Sequence, residues 1–95
     1  MAASRFIIAD DHPLFRDALR QTLQAAFTAT TIEEAGSLDQ LLELLGGDTD
    51  TDLIVLDLTM PDVQGLSGLL QIRTQHPSIP VVIVSATDDP AIIRK

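Results

Sequence analysis

The sequence predicts one α/β domain in which a parallel sheet carries helices on both faces. Short runs of apolar, mostly β-branched residues, typical of strands buried on both sides, alternate with segments that have helical spacing. Their order is β-α-β-α-β-α-β-α, which requires crossover connections between parallel strands. The 95 residues are 45% hydrophobic and 21% charged, which suits one small globular domain.

The first strand is predicted over residues 5–9, and Pro13 pre-sets the backbone for the start of a helix. That helix is predicted to run to residue 26. Its apolar stripe comprises Phe15, Leu19, Leu23 and Ala26, with Leu14 and Ala18 alongside, and its outer face comprises Arg16, Asp17, Arg20 and Gln24.

A second strand is predicted over residues 28–35, where threonines and two glutamates indicate a position near the sheet edge. Gly36 turns the chain, and Ser37 with Gln40 has the spacing of a capping box. The second helix follows and ends at Gly46 and Gly47. Its apolar stripe is Leu38, Leu41, Leu42 and Leu45.

The third strand is the centre of the prediction, because four apolar residues at 53–56 lead directly into Asp57. A third helix is predicted to reach Gln75, with a stripe of Leu66, Leu69, Leu70 and Ile72. Residues 81–84 predict a fourth buried strand that ends at Ser85, and Pro90 marks the start of a fourth helix.

Polar side chains follow three of these strands: Asp10 and Asp11, then Asp57, then Ser85. The carboxyl ends of parallel strands meet at one edge of the sheet, so these groups are expected to converge. Three converging carboxylates repel one another, and a divalent cation removes that penalty. Oxygen ligands favour Mg²⁺, with Mn²⁺ as the alternative, so His12 is predicted to face solvent as a turn residue.

Composition narrows the classes of function. A net charge of -8 argues against direct binding to a phosphate backbone. The absence of cysteine excludes disulfides and thiol chemistry. No apolar run approaches the roughly 20 residues of a membrane span, so a soluble, cytoplasmic protein with no membrane partner is expected.

Four motifs together resemble the receiver domain of bacterial two-component response regulators. They are Asp-Asp-His-Pro at 10–13, Leu-Asp-Leu-Thr-Met-Pro at 56–61, Gly65, and Ser-Ala at 85–86. The resemblance runs from about residue 5 to the last residue. The amino-acid sequences at 10–19 and 34–37 are similar to those of the subfamily that carries a C-terminal LuxR-type DNA-binding domain.

This resemblance implies a flavodoxin-like (CheY-like) sheet of strand order 2-1-3-4. It implies that Asp57 accepts a phosphoryl group from a sensor histidine kinase, as a phosphoacceptor that assists its own phosphorylation and dephosphorylation and not as an enzyme. Asp11, helped by Asp10, would ligate Mg²⁺ together with Asp57 and the backbone carbonyl of Thr59. Ser85 would hydrogen-bond the phosphoryl group and act in the switch.

The family pattern continues with a fifth strand, which ends in a lysine, and a fifth helix. The 95 residues end before both, and Lys95 is not assigned that role. The expectation is therefore a truncated receiver domain over 1–95 that regulates an output domain, of the transcription type, outside this sequence. Any contact with nucleic acid would come from that domain. An uncovered strand at 81–84 also predicts self-association, through this strand or a helical face.

Two other functions are open from the residues alone. One is a phosphatase of the haloacid dehalogenase type, which also forms an aspartyl phosphate with Mg²⁺; it requires a second Asp where this chain has Thr59. The other is an interaction module that keeps the fold without being phosphorylated.

Overall fold

The computed structural model describes residues 4–46, 50–58, 60 and 66–84. Within these ranges the elements are β1 (Ser4–Ala9), α1 (Pro13–Ala26), β2 (Thr30–Ala35), α2 (Leu38–Leu45), β3 (Leu53–Asp57), α3 (Leu66–Gln75) and β4 (Val81–Val84). The strands form one parallel sheet of order β2-β1-β3-β4. The predicted fold class, strand order and edge position of β2 are confirmed. The helix predicted after Pro90 lies outside the described residues.

The main core lies on one face of the sheet. Successive strand residues point to opposite faces, so Ile7, Ala9, Ile54 and Leu56 share a face. They pack with Leu38, Leu41 and Leu45 of α2, with Ile72 of α3 and with Met60. The leucine stripe predicted for α2 forms as expected because its spacing turns these side chains onto the sheet.

The predicted cap of α2 is also confirmed. The backbone N–H of Gln40 donates to Ser37 Oγ at 3.1 Å, and the side-chain oxygen of Gln40 accepts from the N–H of Gly36 at 2.7 Å. Backbone donors at this helix start are thus satisfied by two side chains, which fixes the chain just after β2.

The opposite face carries α1, which packs on β1 and β2. Phe6, Ile8 and Val55 are buried there, and Phe6 meets Phe27 edge-on with ring centroids 5.3 Å apart. The outer-face assignment was wrong for Arg16 and Arg20, because both reach Glu34 of β2.

Several predicted core positions are exposed instead. Leu14 is 87% exposed, and Ala18 and Ala26 are also exposed, because they lie on the flank or the end of α1 that the described residues do not cover. Leu70 of α3 is 64% exposed for the same reason. The prediction that β4 is a buried strand was wrong, since Val82 is 46% exposed and its neighbours in the strand are only partly buried, which agrees with the uncovered strand also expected at 81–84. Self-association through this strand stays a prediction.

Side-chain contacts of Arg5 connect the strands at the amino-terminal end of the sheet. At the amino end, Arg5 donates to Thr51 and Glu33, and its backbone N–H donates to Asp52. One side chain therefore joins β1, β2 and the segment before β3.

Among the described residues, no helix is long and apolar enough to cross a bilayer.

Candidate functional site

The register of the sheet brings Asp10 and Asp57 together. β1 and β3 are neighbours, with Ala9 opposite Leu56, so the next residue of each strand is a carboxylate at the same edge. Alternation places both carboxylates on the α1 face, away from the main core. Both side chains are fully buried, whereas the side chain of Asp11 is 33% exposed.

A tight cluster results from this placement. Asp10, Asp11, His12 and Asp57 each offer a ligand atom, and these atoms all lie within 4.8 Å of one another. The three carboxylates predicted to converge are therefore adjacent. Asp10 and Asp57 lie 47 residues apart in the chain, and the parallel pairing of β1 with β3 closes that separation.

His12 makes contacts that sequence reasoning missed. Its Nδ1 lies 2.9 Å from Asp10 Oδ1, 3.0 Å from Asp11 Oδ1 and 3.6 Å from Asp57 Oδ2. Its backbone N–H also donates to Asp10 Oδ1 at 2.6 Å. His12 is half exposed, in line with the predicted solvent-facing position, but its ring also contacts the carboxylates, which the prediction did not include. The available signal was the spacing of two residues from Asp10, which permits a local side-chain contact.

The electrostatics of the cluster raise two pKa values. Burial raises the pKa of Asp10, partly offset by its hydrogen bonds with His12, and the charge of Asp57 raises it further. The hydrogen bond with Asp10 raises the pKa of His12, and the nearby carboxylates add to that effect. The site thus holds excess negative charge that a proton on His12 partly balances.

The pKa of His12 is expected to fall when a divalent cation binds. Without metal, the raised pKa keeps the imidazolium populated above the ordinary value of 6.5. The stabilisation it gives is complete below that value and is lost as the pH rises through the raised pKa. Because a cation would neutralise the same carboxylates, adding Mg²⁺ should lower the pKa that NMR reports for the His12 ring.

His76 follows α3 and lies outside the acidic cluster, so its NMR resonances provide the internal reference. A His12 pKa that stays constant between chelator and Mg²⁺, while the cation demonstrably binds, would contradict the expected competition.

Two predicted site residues, Thr59 and Ser85, lie outside the described residues. The structure does place their neighbours: Val84 is opposite Asp57 in the pairing of β3 with β4, and the N–H of Leu58 donates to the Val84 carbonyl at 3.4 Å. The positions that precede both residues therefore lie at the edge of the sheet that carries Asp57.

The ligand atoms of this cluster, mostly carboxylate oxygens, suit a hard divalent cation. Asp10 Oδ2 is buried and has no hydrogen-bond partner in the described part of the chain, and it belongs to a group rich in carboxylate oxygens. Leaving a buried carboxylate oxygen without a donor is costly, and a cation would satisfy it. Beside the cluster, a surface depression is lined by Asp11, His12, Pro13, Leu14 and Phe15.

Comparison with known families decides the classification. The family model described as the response regulator receiver domain matches residues 6–95. This chain belongs to that family. The four-stranded order of the receiver domain and the acidic cluster at the carboxyl edge of its sheet agree with the resemblance carried by the sequence motifs.

Among curated relatives, this receiver domain is similar to the glycerol metabolism activator of Pseudomonas putida, with 46% identity over 89 residues. The match covers 94% of this chain and 40% of that protein. The chain therefore spans less than half the length of this relative, which extends well beyond the region of similarity.

Solved structures give the same fold. A LuxR family DNA-binding response regulator from Silicibacter pomeroyi has 30% identity and a TM-score of 0.72, over 84% of this chain and 62% of that one. The Thermotoga maritima response regulator TrrA, solved with Mg²⁺ and BeF, has 27% identity and a TM-score of 0.75, over 90% and 71% of the two chains. TrrA is also solved in complex with the histidine kinase ThkA, at 24% identity, with a TM-score of 0.77 and coverage of 95% and 75%.

Proposed function

We propose that Asp57 of this receiver domain accepts a phosphoryl group from a sensor histidine kinase, with Mg²⁺ bound beside it. The observation that carries this proposal is the convergence of Asp10, Asp11 and Asp57 at one sheet edge, with ligand atoms within 4.8 Å. Phosphoryl transfer depends on positioning and charge neutralisation more than on acid–base groups, and this cluster can supply both.

The residues that would hold Mg²⁺ are Asp10, Asp11, Asp57 and the backbone carbonyl of Thr59. When bound, Mg²⁺ supplies positive charge that offsets the charge of the carboxylates and of the phosphoryl oxygens. Mg²⁺ retains several waters in most protein sites, so this small set of oxygens is sufficient. Mn²⁺ would bind the same oxygens.

In the transfer step, a carboxylate oxygen of Asp57 forms a bond to phosphorus as the bond from phosphorus to the donor breaks. The donor leaves as a neutral histidine of the kinase after proton transfer from water, or as acetate when acetyl phosphate is used. The rigid end of β3 holds the carboxylate in place, since Asp57 is fully buried at the end of an inner strand. Ser85 would donate a hydrogen bond to the new phosphoryl group, and that contact would shift the loop after β4.

The wider role follows from the relatives. Because a relative such as the Silicibacter pomeroyi protein is a LuxR family DNA-binding response regulator, the output here would be a transcription regulator domain beyond the receiver. The partner on the input side would be a histidine kinase, as TrrA has in ThkA. The receiver would act in the cytoplasm as a phosphoacceptor and not as an enzyme that turns over substrate.

A phosphorylation experiment tests this function. The chain incubated with acetyl phosphate and Mg²⁺ should gain the mass of one phosphoryl group, and chelating the metal should prevent the gain. Borohydride reduction of the acyl phosphate should convert residue 57 to homoserine, which peptide mass spectrometry identifies. Failure to gain mass with Mg²⁺ bound, or a phosphoryl group on another residue, would refute the proposed role of Asp57.

A further inference from the structure

Arg16 contacts the backbone that carries the acidic pair. Its Nη1 donates to the Asp10 carbonyl oxygen at 2.7 Å, and its Nε donates to Glu34 Oε1 at 2.7 Å. The guanidinium also passes close to Gly36, where an added Cβ would come 3.3 Å from Nη1. One side chain of α1 therefore links the peptide between Asp10 and Asp11 to edge strand β2.

This contact replaces sheet hydrogen bonding at the point where that bonding ends. The pairing of β1 with both of its neighbours stops at Ala9. The N–H of Asp10 still donates to the Ala35 carbonyl at 2.9 Å, and the Asp10 carbonyl accepts from Arg16. Both polar groups of the Asp10 backbone are thus satisfied by β2 and α1, which fixes the direction of the chain as it enters the site.

From these contacts we infer that Arg16 is a positioning residue for the metal site, acting through the Asp10 carbonyl and held in place by Glu34. This inference rests on the proposed function. Groups that orient metal ligands without touching the metal commonly change metal affinity by about 10–100-fold when removed. Arg16 has no ligand role of its own, since it binds a backbone carbonyl and an edge glutamate.

The chain contains a matched control for this role. Arg20 lies one helical turn later, and its Nε is 2.9 Å from the other carboxylate oxygen of the same Glu34. Arg20 also pairs with Asp17, but none of its described contacts is to Asp10. Each of these two substitutions, Arg16→Gln and Arg20→Gln, therefore removes one positive charge from α1 and one contact with Glu34. Only Arg16→Gln also removes the hydrogen bond to the Asp10 carbonyl.

The test measures the Mg²⁺ dissociation constant by calorimetry for the wild type, Arg16→Gln, Arg16→Lys and Arg20→Gln. Arg16→Gln is expected to weaken Mg²⁺ binding about tenfold, whereas Arg20→Gln should stay close to the wild type. Arg16→Lys should recover part of the affinity, because an ammonium can donate to the Asp10 carbonyl but lacks the planar guanidinium whose Nη1 and Nε reach that carbonyl and Glu34 together. The NMR resonances of the His12 ring, which contacts Asp10, should shift in Arg16→Gln alone.

The two possible failures are distinguishable. If the wild type binds Mg²⁺ and takes up a phosphoryl group while Arg16→Gln binds Mg²⁺ equally well, only the positioning role is overturned. Equal losses of affinity in Arg16→Gln and Arg20→Gln would overturn it too, because they indicate a general loss of helix stability. If the wild type itself gains no phosphoryl group, the proposed function fails; unchanged His12 resonances in Arg16→Gln would then overturn the positioning role independently.

Discussion

Asp57→Asn is expected to abolish phosphoryl uptake while leaving the fold intact. The amide has nearly the shape of the carboxylate, so packing at the end of β3 is preserved, but it lacks the charged oxygen that attacks phosphorus. The substitution also removes a fully buried carboxylate charge, so no loss of stability is expected from it. Mass spectrometry after incubation with acetyl phosphate and Mg²⁺ measures the loss directly.

Asp52→Asn is the matched control for this loss. Asp52 lies just before the amino-terminal end of the same strand, β3, and its carboxylate accepts a hydrogen bond from the backbone N–H of Arg5. The control should take up a phosphoryl group at the wild-type rate. A full mass gain in Asp57→Asn would show that another residue is the acceptor.

Asp10→Asn is expected to stabilise the metal-free protein and to remove most of the stabilisation that Mg²⁺ gives. Burial raises the pKa of Asp10 above its unfolded value of about 3.9. Its contribution to stability is therefore complete below that unfolded pKa and is lost as the pH rises through the raised pKa. Above the raised pKa the fold holds a charge that it disfavours, and replacing the carboxylate by an amide should then add on the order of 1 kcal/mol.

With Mg²⁺ bound, the wild type should instead be more stable than Asp10→Asn. For the wild type, Mg²⁺ at about 100 times its dissociation constant adds about 2.7 kcal/mol to the free energy of unfolding. Asp10→Asn has lost a ligand and should gain little. Urea denaturation followed by far-ultraviolet circular dichroism suits this protein, which has no Trp or Tyr. A metal-free Asp10→Asn that is less stable than the wild type would contradict the expected cost of the buried charge.

The fold was predictable wherever a short apolar run was bounded by turn residues. The apolar segment at 53–56 and the leucine stripe of α2 are largely buried, as predicted. In both, the pattern of apolar residues within the segment was enough to identify the residues that are buried. The exposure of Leu14 and Leu70 was not predictable. Apolar spacing shows which residues share a side of an element, whereas coverage depends on which other elements lie over that side.

The site was partly predictable for a similar reason. Parallel strands place their carboxyl ends at one edge, so the convergence of Asp10 and Asp57 follows from the order of elements. The roles of His12 and Arg16 depend on side-chain direction. His12 turns back onto Asp10 from the start of α1, and Arg16 turns sideways to β2, which a helical wheel represents as solvent. Thr59 and Ser85 stay predictions.

The alternation along β3 has a consequence for folding fidelity. If β3 paired with β1 one residue out of alignment, Asp57 would turn toward the layer formed by Leu41 and Ile72. A carboxylate forced into that apolar layer would lose its solvation without finding a partner, and the misaligned sheet would be strongly disfavoured. The residue proposed to carry the signal therefore also helps the chain to reject an incorrect strand alignment.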